Sequence, residues 1–203
     1  MDLSHGILLA TSNKGKLNEI KQILGNMANI KFYTLSDVKS ETFDVEENGS
    51  TFRENAFIKA KAYAEKFGFV TLADDSGLEI DYLKGAPGVK SARYAGIGAK
   101  DSDLYNKVLK ELKDVVPEQR TARFKCSICL YDPKDSSSIF SEGTCEGAIA
   151  TKPSGENGFG YDPIFIPFGY EPKTIAELES EIKNSISHRG RALLALKSKL
   201  LLG

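Results

Sequence analysis

Two aspartates, Asp74 and Asp75, stand side by side where the apolar run Phe69-Val70-Thr71-Leu72-Ala73 ends. Adjacent carboxylates repel, and a folded chain tolerates such a pair where a cation or a proton offsets the charge. Alternation along a strand sends the two side chains to opposite faces. A turn at Ser76-Gly77 instead brings both to one rim, and that turn is the expectation here. Glu46 and Glu47 add two carboxylates ahead of a helix. Together the four make an all-oxygen donor set in a chain with only 2 histidines, which favours Mg²⁺ or Mn²⁺ over zinc. Each segment taken singly is equally a solvated turn or loop, since Asp and Ser are ordinary turn residues.

A second constellation suits an anion. Thr11-Ser12-Asn13-Lys14-Gly15-Lys16 lies between a short apolar strand and a helix. A helix N-terminus offers unpaired N–H groups and the positive end of the dipole. With hydroxyl, amide and two lysine donors around it, the segment forms a phosphate cradle. It lacks the GxxxxGK[ST] spacing of a P-loop, and the plain alternative is a helix capped by Ser12 or Asn13. In the helix from about Thr51 to Phe67, Phe52, Ala56, Ala60, Tyr63, Ala64 and Phe67 share an apolar face. Lys59 falls beside that face, with Asn55 at its edge and Arg53 at its first turn. Such a lysine either snorkels to water or points into a cleft. Near the C-terminus, Gly158-Phe159-Gly160-Tyr161-Asp162-Pro163 presents an aromatic ring between glycines. Lys183, Ser185, His188 and Arg189 gather around a helix start.

The elements that must position these residues are readable from periodicity and caps. Strands are expected at Gly6–Thr11, Ile30–Leu35, the run into Asp74-Asp75, and a return strand Leu78–Tyr82. Two long strands follow, Thr121–Tyr131 and Ile139–Ala150, and a short one lies near Ile164. Helices are expected at Lys14–Leu24, from Thr51 with its Thr51/Glu54 capping box, at Asp101–Leu112, at a start capped by Thr174 and Glu177, and over His188–Leu202. Residues 37–49 read as an acidic loop. Early alternation of strand and helix followed by antiparallel strands predicts an α/β fold, a mixed twisted sheet flanked by helices.

The 203 residues fit one large domain or two fused lobes, long enough to bury a core without staples. Hydrophobic residues at 41% and charged ones at 27% describe a globular chain. A net charge of −1 gives no basic surface for a long nucleic acid, though a local pocket for a small polyanion is compatible with it. No apolar run is long enough for a membrane span, and no signal-peptide plan opens the chain, so the cytoplasm is the expected location. Cys126, Cys129 and Cys145 are read as reduced packing residues. Cys126 and Cys129 match C-x-x-C spacing but lie on an alternating strand, which points them to opposite faces.

These segments, together and in this order, resemble the inosine triphosphate pyrophosphatase family (RdgB-like). The resemblance rests on Thr11–Lys16, Glu46-Glu47-Asn48-Gly49-Ser50-Thr51-Phe52, Asn55-Ala56, Ala73-Asp74-Asp75-Ser76-Gly77-Leu78 and Gly85-Ala86-Pro87-Gly88 with Ser91-Ala92-Arg93-Tyr94. It rests further on Gly158–Pro163 and on Ser185-Ile186-Ser187-His188-Arg189. Asn157 departs from it, standing where such proteins often have a second glycine. The resemblance implies one catalytic domain over residues 1–203, two lobes with the active-site cleft between them, a Mg²⁺ requirement and usually a homodimer. It implies cleavage of deaminated purine nucleoside triphosphates between the α- and β-phosphates. It further implies that Thr11, Ser12, Asn13, Lys14, Gly15 and Lys16 hold the triphosphate with Lys59. By the same resemblance Glu46 and Asp75 bind the metal, Asp75 is the base for water, and Ser76 contacts substrate. Phe159, Gly160, Tyr161, Asp162, Lys183, His188 and Arg189 form the base pocket. Two rivals stand beside this reading: a pyrophosphatase of other modified nucleotides, such as pyrimidines, and a non-catalytic nucleotide sensor.

Overall fold

The computed structural model of the chain describes residues 1–25, 27, 30–38, 43 and 45–203 apart from Gly203. Residues 39–42 and 44 of the expected acidic loop therefore lie outside the described residues. A six-stranded sheet runs in the order β2-β1-β3-β4-β5-β6. Its strands are β1 (Ile7–Leu9), β2 (Phe32–Thr34), β3 (Val70–Ile80), β4 (Thr121–Tyr131), β5 (Ser138–Ile149) and β6 (Phe165–Pro167). β1 pairs in parallel with both β2 and β3, and β6 pairs antiparallel with β5, so the sheet is mixed as expected. The helices are α1 (Lys14–Leu24), α2 (Phe52–Phe67), α3 (Asp101–Glu111), α4 (Ser180–Ile186) and α5 (His188–Leu202). Among the described residues no helix is long and apolar enough to cross a membrane.

Two expectations need correction. The predicted turn at Ser76-Gly77 and the return strand after it are absent, because β3 continues without a break from Val70 to Ile80. Leu78 and Ile80 are fully buried, and extending the strand buries them where a turn would expose them. The Thr174/Glu177 pair forms its capping box as expected, but on a single 3₁₀ turn, Ile175–Glu177, and α4 begins separately at Ser180.

The chain divides into two compact units. One comprises Met1–Asp75, Cys126–Gly143 and Arg189–Gly203; the other comprises Ser76–Lys125 and Thr144–His188. In the first unit the period-two alternation of buried strands builds a core on each face of the sheet. Ile7, Leu9, Leu72, Cys126 and Ile128 pack with Ile20 and Leu24 of α1 and Leu193 and Leu196 of α5. Leu8, Ala10, Ala73 and Cys129 pack with Ala56, Ala60, Tyr63 and Ala64 of α2. Cys126 and Cys129 thus face opposite ways, as alternation requires, and burial pushes both thiols up to about 12. The alanines at every fourth position of α2 let that helix lie close on the sheet.

The second unit has its own core of Leu78, Ile80, Leu104, Val108, Phe124, Cys145, Tyr161, Ile164 and Phe165. Arg120 is buried there at 3% exposure. Its guanidinium donates to the carbonyls of Leu112, Ile149 and Ala150 at 2.7, 2.8 and 2.7 Å, tying the end of α3 to the end of β5. Replacing Arg120 by Met takes this donor from the Ile149 and Ala150 carbonyls, while Leu112 keeps the Val115 N–H, and each carbonyl left unpaired costs about 1–3 kcal/mol. Chemical denaturation of Arg120→Met should therefore show a loss of at least about 2 kcal/mol, and an unchanged midpoint would refute this role.

Candidate functional site

Strand alternation decides where the paired aspartates go. On β3, Leu72 packs toward α1 and α5 and Ala73 toward α2. Two residues on, Asp74 repeats the orientation of Leu72 and Asp75 that of Ala73. The continuous strand therefore separates the two carboxylates to opposite faces, and each finds its own compensation.

Asp74 is 1% exposed, and its Oδ2 accepts from Lys16 Nζ at 3.0 Å and from Arg189 Nε at 3.1 Å. Arg189, 2% exposed, reaches Glu19 Oε2 with Nη1 at 2.7 Å. The result is a row of alternating charge, Glu19, Arg189, Asp74, Lys16, with both ends on α1. Burial pushes the Asp74 carboxyl up, but Lys16 and Arg189 outweigh it and hold the group well below the usual carboxylate range.

Asp75, 8% exposed, faces α2, where Asn55 Nδ2 donates to its Oδ2 at 2.9 Å. Asn55 Oδ1 in turn accepts from the Gly49 N–H at 2.8 Å, which fastens the loop before α2 to the same carboxylate. A Cβ at Gly49 would lie 2.7 Å from Asn55 Oδ1, so this approach requires glycine. One turn further along α2, Lys59 Nζ pairs with Glu47 Oε1 at 2.6 Å and donates to the Asp74 carbonyl at 3.1 Å. Its side chain is 14% exposed, so it points inward and does not snorkel. Burial lowers the Lys59 pKa, and Asp74 and Glu47 raise it by more, keeping the amine charged. At Asp75 burial leads; the Asn55 hydrogen bond opposes it, Glu47 adds to it, and the carboxyl ends above its ordinary value.

The four-carboxylate cluster expected from sequence is not assembled, because Asp74 serves α1 and α5. Among the described residues no group of three or more His, Cys, Asp or Glu is placed to hold a metal. Asp75 and Glu47 nevertheless fit a hard dication. They are carboxylates near enough for Glu47 to raise the proton affinity of Asp75, and both draw on the Lys59 ammonium for compensation. Mg²⁺ is commonly held by one or two carboxylates, with waters and substrate phosphates completing its shell. Glu46, the other expected ligand, is exposed, whereas Glu47 is the residue engaged with Lys59.

Thr11–Lys16 sits as expected between β1 and α1. Asn13 is the cap, its Oδ1 accepting from the Lys16 N–H at 3.1 Å, and its own N–H donates to Thr11 Oγ1 at 3.2 Å. Ser12 and Lys14 are exposed, Thr11 and Gly15 half-buried, and Lys16 reaches down to Asp74. Ser76 follows Asp75 on β3, half-buried.

The second unit gathers most of the expected base-binding residues. Asp162 Oδ2 accepts from Lys183 Nζ at 2.8 Å and from the Phe159 N–H at 2.9 Å. Lys183 Nζ also lies 4.8 Å from the Phe159 ring centroid, a cation–π contact. The Tyr161 hydroxyl donates to the Ser91 carbonyl at 2.8 Å, and Gly160 N–H donates to Asp101 Oδ2 at 2.7 Å. His188, 6% exposed, stacks on Phe124 with centroids 4.7 Å apart and planes at 12°. Arg189, expected in the base pocket with Lys183, pairs its guanidinium with Asp74 and Glu19 in the first unit, two buried carboxylates that demand a cation.

Sequence reasoning missed Glu19, Asp101 and the weight of Glu47. Glu19 carried a signal: it lies beside Ile20 and four residues before Ile23, within the apolar arc of α1. Asp101 carried none, since its partner is a backbone amide 59 residues away.

Comparison with known proteins gives consistent results. A family model described as the Ham1 family matches residues 7–199. A protein of Halalkalibacterium halodurans named dITP/XTP pyrophosphatase is 52% identical over 189 residues, covering 93% of this chain and 95% of that one. A Bacillus subtilis protein of the same name is 49% identical over 199 residues, covering 96% of each. The solved structure of a HAM1 protein from Coxiella burnetii superposes with a TM-score of 0.87 at 44% identity, covering 98% of this chain and 99% of that one.

Arg189→Met takes the guanidinium from buried Glu19 and one of the two cations from buried Asp74, which keeps Lys16. Breaking a buried pair in this way costs about 3–5 kcal/mol. Urea unfolding should register a loss of that order for the variant; a stability equal to the parent's would mean that Asp74 and Glu19 do not depend on Arg189.

Proposed function

Since the chain belongs to the Ham1 family, we propose that it hydrolyses deaminated purine nucleoside triphosphates, ITP, dITP and XTP, to the monophosphate and pyrophosphate, clearing them from the nucleotide pool. The observation that carries this reading is Asp75, a buried carboxylate of raised proton affinity gripped by Asn55, with the inward-pointing Lys59 on the same helix face.

The chemistry follows from those residues. The N-terminus of α1, with Thr11, Ser12, Asn13, Lys14, Gly15 and Lys16, neutralises the triphosphate together with Lys59. Asp75 orients a water and takes its proton as the water oxygen bonds to the α-phosphorus. The bond from that phosphorus to the bridging oxygen breaks, and its electron pair leaves with pyrophosphate. Asp75 and Glu47 are the residues that would hold Mg²⁺, which when bound supplies positive charge against the departing phosphates. The raised proton affinity of Asp75 suits a base better than that of an ordinary exposed aspartate.

In the second unit Phe159 offers a stacking face that any base shares, so it contributes affinity without selectivity. Selectivity belongs to the donor. Hypoxanthine and xanthine present an oxygen at C6, and adenine presents an amine. Lys183, as an ammonium, can only donate. Asp162 holds that ammonium in place, and its salt bridge to Lys183 is the support for this role. Work in the cytoplasm as a homodimer completes the reading, and the support for both is the family resemblance.

Three measurements test the proposal. Pyrophosphate should be released from ITP with Mg²⁺ and not in excess chelator; full turnover in chelator would end the metal assignment. Asp75→Asn, which keeps shape but cannot take a proton, should lose at least about a hundredfold in kcat while its melting temperature holds. Lys183→Gln should narrow the preference for ITP over ATP by about tenfold or more, and an unaltered ratio would remove Lys183 from base reading.

A further inference from the structure

Phe159 has a glycine on each side, Gly158 at φ +82° and Gly160 at φ +63°. A Cβ at Gly158 would collide with the Asp162 carboxylate, so this turn closes only with glycine there. Two such hinges leave the direction of the ring poorly determined by the local chain. The segment supplies part of the restraint itself, through the Phe159 N–H on Asp162 three residues ahead. Asp162 in turn pairs with Lys183 of α4, which holds the side of the turn before the ring. The amide after the ring has its own tie: Gly160 N–H donates to Asp101 Oδ2 at 2.7 Å across 59 residues. Asp101 opens α3, whose Leu104 and Val108 are buried in the core of the same unit, so the acceptor stands on an anchored helix.

We propose that Asp101 is a positioning residue for nucleotide binding, holding Phe159 in its stacking orientation through the Gly160 amide. The proposal rests on the functional reading above, in which Phe159 stacks on the base. Asp101 itself is exposed, and in this proposal it acts through the Gly160 amide. Its action is to fix the peptide that follows the ring, so that the ring does not have to be ordered when the base arrives. The chemistry explains why an acid is suited to the position. A charged acceptor makes a shorter and stronger bond to an amide than a neutral one, which allows a solvent-facing contact to persist. Asp101 also sits in the first turn of α3, where the helix dipole favours a carboxylate.

The test compares Asp101→Ala and Asp101→Asn with the parent enzyme. For ITP, Asp101→Ala should raise KM about five- to tenfold with kcat within about twofold, the scale of one ordinary net hydrogen bond at a solvent-facing site. Asp101→Asn, whose amide oxygen can still accept, should recover most of that loss. Hydrolysis of inorganic tripolyphosphate, which has no base to stack, should respond equally little in all three proteins. Independently of activity, the Gly160 amide should exchange with solvent faster in Asp101→Ala. Unchanged KM in Asp101→Ala, or a fall in kcat and melting temperature together without rescue by Asn, would overturn the positioning role. If the parent enzyme fails to hydrolyse ITP, the functional reading falls, and with it the binding role. The Gly160 exchange rate then still reports whether Asp101 holds the turn.

Discussion

Two like charges cannot be buried next to each other on one face of a sheet without large cost, and the arrangement of the first unit answers that constraint. β3 keeps its pleat through Asp74 and Asp75, and the sheet itself then separates the carboxylates. One side of the sheet must supply cations to Asp74, and α1 and α5 do so with Lys16 and Arg189. The other side must supply a hydrogen-bond donor to Asp75 while leaving it able to act, and Asn55 of α2 does that. The two aspartates thus hold different protonation tendencies at adjacent positions: Asp74 is fixed as an anion and Asp75 is drawn toward the proton. A strand that turned after Asp75 would have brought both to one rim and erased the difference.

Much of this was legible in the residues. α1 appears with the bounds its apolar face implied, α5 with those its start signal implied, and β4 spans Thr121–Tyr131 as its alternation required. Of the capping box expected at Thr51 and Glu54, Thr51 caps the Glu54 N–H at the start of α2, while the Glu54 carboxylate reaches back one residue further to Ser50. What failed did so for identifiable reasons. Ser76-Gly77 has turn chemistry, but Leu78 and Ile80 gain more by burial in a continued strand. The pattern around Lys59 left two directions open, because a helical wheel gives the angle of a side chain and says nothing of the opposite wall. Glu47 supplies that wall. His188 and Arg189 are adjacent in one motif, and adjacency on a helix does not give two side chains the same partner. His188 stacks on Phe124, and Arg189, the next residue, turns to Asp74.

The segment around Phe159 follows a different logic. No strand or long helix carries it, and its shape depends on carboxylates accepting from backbone amides and on the Tyr161 hydroxyl reaching the Ser91 carbonyl. Asp162 serves two purposes at once, as acceptor for the Phe159 amide and as counter-charge to Lys183. The ammonium held in this way also lies against the aromatic face, so ring and donor are set with respect to each other by a single carboxylate. Such wiring leaves little periodic trace in a sequence, which is why motif resemblance found these residues and pattern reading did not.

The alanines of α2 fix a length scale. Ala56, Ala60 and Ala64 are fully buried against the sheet, and they set how near the helix backbone comes to β3. Asn55 and Lys59 flank that row, and one spans a single hydrogen bond to Asp75 while the other touches the Asp74 carbonyl. The short Asn55 side chain has little reach with which to follow a helix pushed outward by one methyl layer. The row of smallest side chains therefore works as a spacer gauge: its thickness is part of the active geometry, although no alanine has a group that can react.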